Sequence, residues 1–163
     1  MPTHELWHRL MRDELGFERY AAHGGDLGAG VSSRLGQAHP ESVLGVHVMA
    51  IGMPSDFDSD DFLLAQASLY WFTNAISTSL RPYYENGKVV GPVSYVSVPT
   101  AVALFPADLD QPPRSWAERT HNVVRYTTMP RGGHFAAHEE PELLAADIVD
   151  FLRTLRGDQG LDF

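Results

Sequence analysis

A cluster of glycines around one aspartate constrains the fold of this chain more than any other feature of the sequence. Gly24 and Gly25 precede Asp26, and Gly28 follows it. Glycine is needed where neighbouring side chains would clash in a tight reversal of the backbone. Two small residues, a reactive residue, any residue and then glycine form a pattern that is typical of a nucleophile elbow. The pattern therefore predicts a strand that turns sharply into a helix at Asp26.

Asp26 occupies the position of that pattern at which esterases carry a serine. In such a turn, one side chain is held above the sheet by a strained backbone conformation. A carboxylate is a nucleophile that can accept an alkyl group and form an ester. The chemistry that this turn predicts is therefore alkyl transfer to a carboxylate.

Composition limits the class of protein and the partners to be expected. A length of 163 residues suffices for a core, so we expect one domain over residues 1–163. The net charge of -9 argues against a nucleic acid or an anionic membrane surface as partner. The absence of cysteine excludes disulfides, thiolate nucleophiles and zinc–thiolate sites. The sequence has no signal-like or bilayer-spanning apolar run, so we expect a soluble cytoplasmic protein.

Helical and strand-like patterns alternate along the chain. Helices are predicted at residues 5–16, from the elbow to about 38, at about 59–80, after Pro113, and from Glu140 onward. Strands are predicted at residues 19–23, 43–49, 96–105 and 122–127. This alternation predicts an α/β protein with a mainly parallel sheet of about four strands and flanking helices.

An acidic segment resembles the start of a calcium-binding loop, with Asp56, Asp58 and Asp60 at alternate positions. Its sixth position is Asp61 where such a loop requires glycine, and its twelfth is Ala67 where it requires glutamate. We therefore interpret the segment as a solvated, helix-capping turn and expect no metal site there.

Two further reactive side chains follow predicted strands, as Asp26 does. Asp108 comes just after the third strand, and His134 follows the fourth in a loop that begins with Gly132 and Gly133. Open α/β sheets bind their ligands at the edge formed by the carboxyl ends of the strands. The chain order of nucleophile, acid and histidine is that of the α/β-hydrolase triad. We therefore expect these three side chains to converge.

Longer segments resemble a known family. The chain is similar to epoxide hydrolases of the α/β-hydrolase fold, in the branch of the microsomal and juvenile-hormone enzymes and their bacterial relatives. The segments that carry the resemblance are residues 24–28 (GGDLG), 98–108 (VPTAVALFPAD), 112–119 (PPRSWAER) and 131–144 (RGGHFAAHEEPELL). Residues 70–85 also resemble the end of that family's cap domain.

The resemblance implies a role for individual residues. Asp26 matches the family's nucleophile, Asp108 its acid and His134 its base. Tyr83 matches one of two cap tyrosines that donate to the epoxide oxygen, although the spacing also permits Tyr84. The backbone N–H of the residue after the nucleophile, here Leu27, is expected to hold the oxyanion.

The implied reaction opens an epoxide to a diol through an alkyl ester on Asp26, which water activated by His134 then hydrolyses. The expected partners are a small apolar epoxide and water, and neither a metal nor an organic cofactor is needed. A haloalkane dehalogenase, which shares the carboxylate nucleophile and the histidine base, is an alternative enzyme. A catalytically silent remnant that binds small apolar ligands or another chain is an alternative of a different class.

The chain matches only part of that family. A full enzyme has about four more strands before the elbow, a loop that supplies a second oxyanion donor, and a long lid. We therefore expect a partial α/β-hydrolase fold with a much reduced cap at about residues 51–90. The strand at residues 19–23 would then form an exposed edge. A longer reading frame, a homo-oligomer or a partner chain would cover this edge.

Overall fold

The computed structural model contains one four-stranded sheet in the order β1-β2-β3-β4, in which each neighbouring pair is parallel. The strands are Tyr20–Gly24 (β1), Val43–Met49 (β2), Val96–Leu104 (β3) and His121–Thr128 (β4). The structure describes residues 2–49, 60–81, 84, 95–108 and 111–159. The predicted α/β class and the mainly parallel sheet are confirmed.

The described helices precede, separate and follow these strands along the chain. They are Thr3–Arg9 (α1), Leu27–Ala38 (α2), Asp60–Thr73 (α3), Ile76–Ser79 (α4), Arg114–Ala117 (α5), Ala136–Glu139 (α6) and Pro141–Gln159 (α7). The chain divides into two compact units, one formed by Met1–Ser55 with Ser94–Phe163 and the other by Asp56–Val93. The second unit contains α3 and α4, and its assignment as a cap remnant stays a prediction. Within the described ranges, no helix combines the length and the apolarity needed to cross a membrane.

Two predicted helices differ in detail from those observed. The helix predicted at about 59–80 is interrupted at Asn74, whose φ of 52° lies in the left-handed region. Asparagine tolerates that region better than most residues, so the helix can end there and restart as α4. The helix predicted at 5–16 starts at Thr3 and continues after α1 as a π-helical turn, Leu10–Glu14. Gly16, with φ of 76°, follows as the predicted stop.

The sheet is covered by α2 and α7 on opposite faces. A Cβ on Gly36 of α2 would lie 2.7 Å from the Val98 side chain, so this helix approaches β3 closely. From α7, the fully buried Phe151 packs in a cluster with Ala101 of β3. Val98 and Ala101 point to opposite faces because side chains alternate along a strand. β2 is buried along nearly its whole length, as expected for a parallel strand covered on both sides.

β1 lies at one end of the strand order and pairs with β2. The expectation that residues 19–23 form an edge strand agrees with this order. The expectation that a partner chain or a second copy covers the edge stays a prediction.

The turn between β1 and α2 is the sharpest reversal in this part of the fold. β1 ends at Gly24 and α2 begins at Leu27. Asp26 between them has φ of 50° and ψ of -127°, a conformation that costs a non-glycine residue on the order of 1–3 kcal/mol. A Cβ on Gly24 would lie 2.1 Å from the carbonyl oxygen of Gly28. The predicted strand–turn–helix therefore forms, and glycine at position 24 is what permits it.

Replacement of Gly24 by alanine should disrupt this turn. Because the methyl group would overlap backbone atoms, we expect Gly24→Ala to lower the free energy of unfolding by roughly 3 kcal/mol or more. Gly30→Ala is the matched control, since a Cβ at Gly30 meets no atom within 4 Å and alanine favours a helix by about 1 kcal/mol. Urea unfolding of both variants measures the difference. Equal unfolding midpoints would contradict this account of the turn.

Candidate active site at the carboxyl ends of the strands

The structure brings together the three side chains singled out in the sequence. Nδ1 of His134 lies 3.3 Å from Oδ1 of Asp108, and Nε2 of the same ring lies 3.7 Å from Oδ2 of Asp26. The first distance corresponds to a long hydrogen bond, and the second is too long for a direct hydrogen bond. One imidazole therefore lies between two carboxylates, with one ring nitrogen towards each.

The two carboxylates differ sharply in exposure. The Asp108 side chain is 1% exposed, whereas that of Asp26 is 34% exposed and that of His134 is 10% exposed. An ionised carboxylate only accepts hydrogen bonds, so a bond between Asp108 and Nδ1 requires that Nδ1 carry the proton. In a neutral ring, Nε2 then presents a lone pair in the direction of Asp26. This arrangement suits a buried orienting acid, a base and an accessible nucleophile.

Backbone contacts between two loops hold the histidine beside the acid. The N–H of Ala107 donates to the carbonyl oxygen of Gly132 at 3.0 Å, and the N–H of Asp108 donates to Phe105 at 3.0 Å. Gly132 has φ of 94°, and a Cβ there would lie 2.9 Å from the Phe105 ring. The loops after β3 and β4 are therefore joined immediately beside Asp108 and His134.

The other predicted site residues lie in different parts of the chain. Tyr83 lies outside the described residues. Tyr84 belongs to the second unit and is 67% exposed. Leu27 is the first residue of α2, and the first N–H groups of a helix have no acceptor within that helix. Its position next to Asp26 suits an oxyanion donor, and that role stays a prediction.

Among the residues that the structure describes, no group of three or more histidine, aspartate or glutamate side chains is arranged to hold a metal ion. Asp56 and Asp58, from the segment with calcium-loop spacing, lie outside that part of the chain.

A polar network lies on the α7 side of the sheet, buried at His47 and Asp147 and exposed at His23, and sequence reasoning did not find it. Nδ1 of His23 lies 3.0 Å from Nδ1 of His47, and Nε2 of His47 lies 3.1 Å from Oδ2 of Asp147. The other oxygen of Asp147 accepts two hydrogen bonds from Arg125, at 2.8 and 2.6 Å, and one from Thr127 at 2.8 Å. The network thus links β1, β2, α7 and β4.

One signal in the sequence could have revealed Asp147. It stands three positions after Leu144 and four before Phe151, both of which are buried on α7. An acidic residue at this spacing lies on the apolar face of its helix. A carboxylate in such a position needs partners that satisfy its charge, because burial of an unpaired charge is costly.

The partners of Asp147 decide its ionisation. Burial by itself would raise the pKa of this carboxyl group, but hydrogen bonds from His47, Arg125 and Thr127 and the charge of Arg125 outweigh it. Together they lower the pKa from 3.8 to about 2. A carboxyl group whose pKa is lowered by folding stabilises the protein at pH values above the pKa of the unfolded state. This stabilisation is lost as the pH falls through the pKa of the folded state.

Removal of the Asp147 charge should destabilise the fold strongly. Asp147→Asn removes the charge that pairs with the partly buried Arg125 and replaces one of the two acceptor oxygens by an amide donor, so we expect a loss of about 3 kcal/mol at neutral pH. Asp150→Asn is the control, because the Asp150 side chain is 50% exposed and such ion pairs contribute less than about 1 kcal/mol. Urea unfolding from neutral to acidic pH should show the wild-type advantage shrinking below pH 3.8 towards about 2. An advantage that persists at the lowest pH would contradict the network.

Comparisons with known proteins identify relatives of this chain. No family model matches the chain. It is 40% identical over 108 residues to Epoxide hydrolase 1 of Oryctolagus cuniculus, which covers 62% of this chain and 23% of that protein. It is 41% identical over 98 residues to Juvenile hormone epoxide hydrolase 2 of Ctenocephalides felis, which covers 56% of this chain and 21% of that protein.

A solved structure shows the same fold. The crystal structure of juvenile hormone epoxide hydrolase from the silkworm Bombyx mori superposes with a TM-score of 0.79 and 23% identity, over 94% of this chain and 54% of that one. The chain thus spans about half of that structure and less than a quarter of the two curated relatives. The resemblance drawn from the sequence is confirmed. The chain is therefore homologous to part of the epoxide hydrolases that have the α/β-hydrolase fold.

Proposed function

We propose that Asp26, His134 and Asp108 are the nucleophile, base and acid of an epoxide hydrolase, which converts a small apolar epoxide and water into a diol. The observation that best supports this proposal is the position of His134 between the two carboxylates, at 3.3 Å from Asp108 and 3.7 Å from Asp26. The similarity to proteins named epoxide hydrolases supports the choice of epoxide as substrate class.

In the first step, a carboxylate oxygen of Asp26 attacks one epoxide carbon. A carbon–oxygen bond of the ring breaks as the ester bond forms, so the ring strain helps to drive the reaction. The departing alkoxide needs a proton near neutral pH. By resemblance to the family, Tyr83 donates it. The product of this step is a hydroxyalkyl ester on Asp26.

In the second step, water attacks the carbonyl carbon of that ester. Nε2 of His134 takes the proton from the water as it attacks, and the buried Asp108 stabilises the imidazolium that forms. The backbone N–H of Leu27 stabilises the oxyanion of the tetrahedral intermediate. Its collapse releases the diol and regenerates the Asp26 carboxylate. The proton held by His134 returns through solvent to the tyrosine, so the net reaction adds one water.

The exposure of the two carboxylates supports this division of roles. Asp26, with 34% of its side chain exposed, can reach a substrate, whereas Asp108, at 1%, cannot be approached from solvent. Carboxylates in one site commonly take different roles because their environments differ. All the proposed steps use carboxylate, imidazole, hydroxyl and water, so they require neither a metal nor an organic cofactor.

A variant without the base should accumulate the intermediate. In His134→Gln the attack by Asp26 on styrene oxide can still occur, but ester hydrolysis loses its base and should slow by on the order of 10³–10⁴-fold. Mass spectrometry of the intact protein and of its peptides should find one epoxide added, on Asp26. His138→Gln is the matched control, because His138 is exposed on α6, and it should turn over without accumulating an adduct.

Two results would overturn the assignment. Folded His134→Gln that acquires no adduct would show that Asp26 does not attack the epoxide, as expected of a catalytically silent homologue. An adduct on a residue other than Asp26 would place the nucleophile elsewhere.

A further inference from the structure

We propose that His23 is a positioning residue, which fixes the nucleophile turn through its hydrogen bond to His47, whose ring is in turn bonded to the buried Asp147. This inference rests on the proposed function, because it concerns how Asp26 is held for attack. It gives a role to the network of His23, His47 and Asp147, which takes no part in the proposed reaction.

Position along β1 singles out His23. The two residues between it and Asp26 are Gly24 and Gly25, which have no side chains. His23 is therefore the last residue before the nucleophile whose side chain can anchor the strand. Asp26 keeps its strained conformation, with φ of 50°, only where the surrounding structure holds it firmly.

The edge position of β1 makes such an anchor useful. β1 pairs through its backbone with β2, and it stands at the end of the strand order. His23 faces His47 directly across that pair, and the two ring centroids are 5.0 Å apart. The side-chain bond therefore reinforces the backbone pairing at the carboxyl end of the strand, where the turn begins.

The network also joins the strands that lead to the two reacting side chains. His47 and Asp147 are each 2% exposed, so the bond between them is shielded from water, whereas the His23 side chain at the end of the network is exposed. Asp147 in turn accepts from Arg125 and Thr127 on β4, the strand that leads to His134. The nucleophile turn and the base are thus connected through side chains on one face of the sheet.

The chemistry of Asp147 fixes the direction of one bond in this network. The carboxylate can only accept, so Nε2 of His47 donates to it. The Nδ1 atoms of His47 and His23 then share one proton, which His23 donates to a neutral His47 or a protonated His47 donates to His23. Desolvation is the main cause that lowers the pKa of His23, so its neutral ring is favoured near neutral pH. In both arrangements the bond joins the end of β1 to His47.

Substitutions at position 23 separate the hydrogen bond from the bulk of the side chain. His23→Leu fills similar space without a donor, whereas His23→Asn places an amide donor near the position of Nδ1. His121→Leu is the matched control, because His121 also bonds to a side chain, Ser33 at 3.0 Å, but lies at the opposite end of the sheet.

The rate at which styrene oxide alkylates Asp26 is measured in the His134→Gln background. We expect His23→Leu to slow this step roughly ten- to a hundredfold at saturating epoxide, with little change in the half-saturating concentration, because misplacement by about 1 Å can cost 10²-fold. His23→Asn should recover most of the rate, and His121→Leu should leave it unchanged. An unchanged rate in His23→Leu, or no recovery in His23→Asn, would overturn the proposal.

Nuclear magnetic resonance tests the positioning role of His23 without requiring the protein to react with an epoxide. Nitrogen-15 spectra of the His134→Gln protein should show His47 protonated on Nε2 and one proton shared between the Nδ1 atoms of His47 and His23. His23→Leu should shift the backbone amide signals of Gly25 and Leu27, and His23→Asn should restore them. If the His134→Gln protein forms no ester, the proposed function is wrong. The amide signals alone then test the positioning role of His23. Amide signals that do not move in His23→Leu would overturn it.

Discussion

The close approach of Gly24 to Gly28 is the contact on which the rest of the site depends. With 2.1 Å between a hypothetical Cβ and the Gly28 carbonyl oxygen, only glycine lets the end of β1 lie against the first turn of α2. That contact forces the reversal into two residues and leaves Asp26 with φ of 50°. Strain of this kind persists where packing and hydrogen bonds over-determine the backbone. The sheet, the two covering helices and the His23 network supply that restraint.

The remainder of the site is built by loops that follow parallel strands. β3 and β4 end at the same edge of the sheet as β1, so short loops suffice to bring Asp108 and His134 to Asp26. The bond between Ala107 and Gly132 then joins the two loops directly. The result is a single imidazole with a buried carboxylate on one side and an accessible one on the other. The difference in burial between the two carboxylates is what supports the different roles proposed for them.

Much of this could be predicted from local patterns. The apolar run at residues 43–49 predicts β2 with the observed bounds, and the reactive residues that follow β1, β3 and β4 predict which side chains meet. What could not be predicted depends on single backbone angles or on distant partners. The left-handed Asn74 leaves no periodic signal, and the bond between His47 and Asp147 joins residues 100 positions apart in the sequence. Each histidine of that network is, taken alone, compatible with many other environments.

The central claim is that the Asp26 carboxylate, and not water, forms the first bond to the epoxide carbon. A single turnover with enzyme in excess, carried out in water enriched in heavy oxygen, tests this claim most directly. The oxygen delivered to the diol then comes from Asp26, while water supplies the oxygen that restores the carboxylate. The account predicts a diol without heavy oxygen and one heavy oxygen in the Asp26 side chain. Heavy oxygen in the first-turnover diol, with none in Asp26, would contradict it.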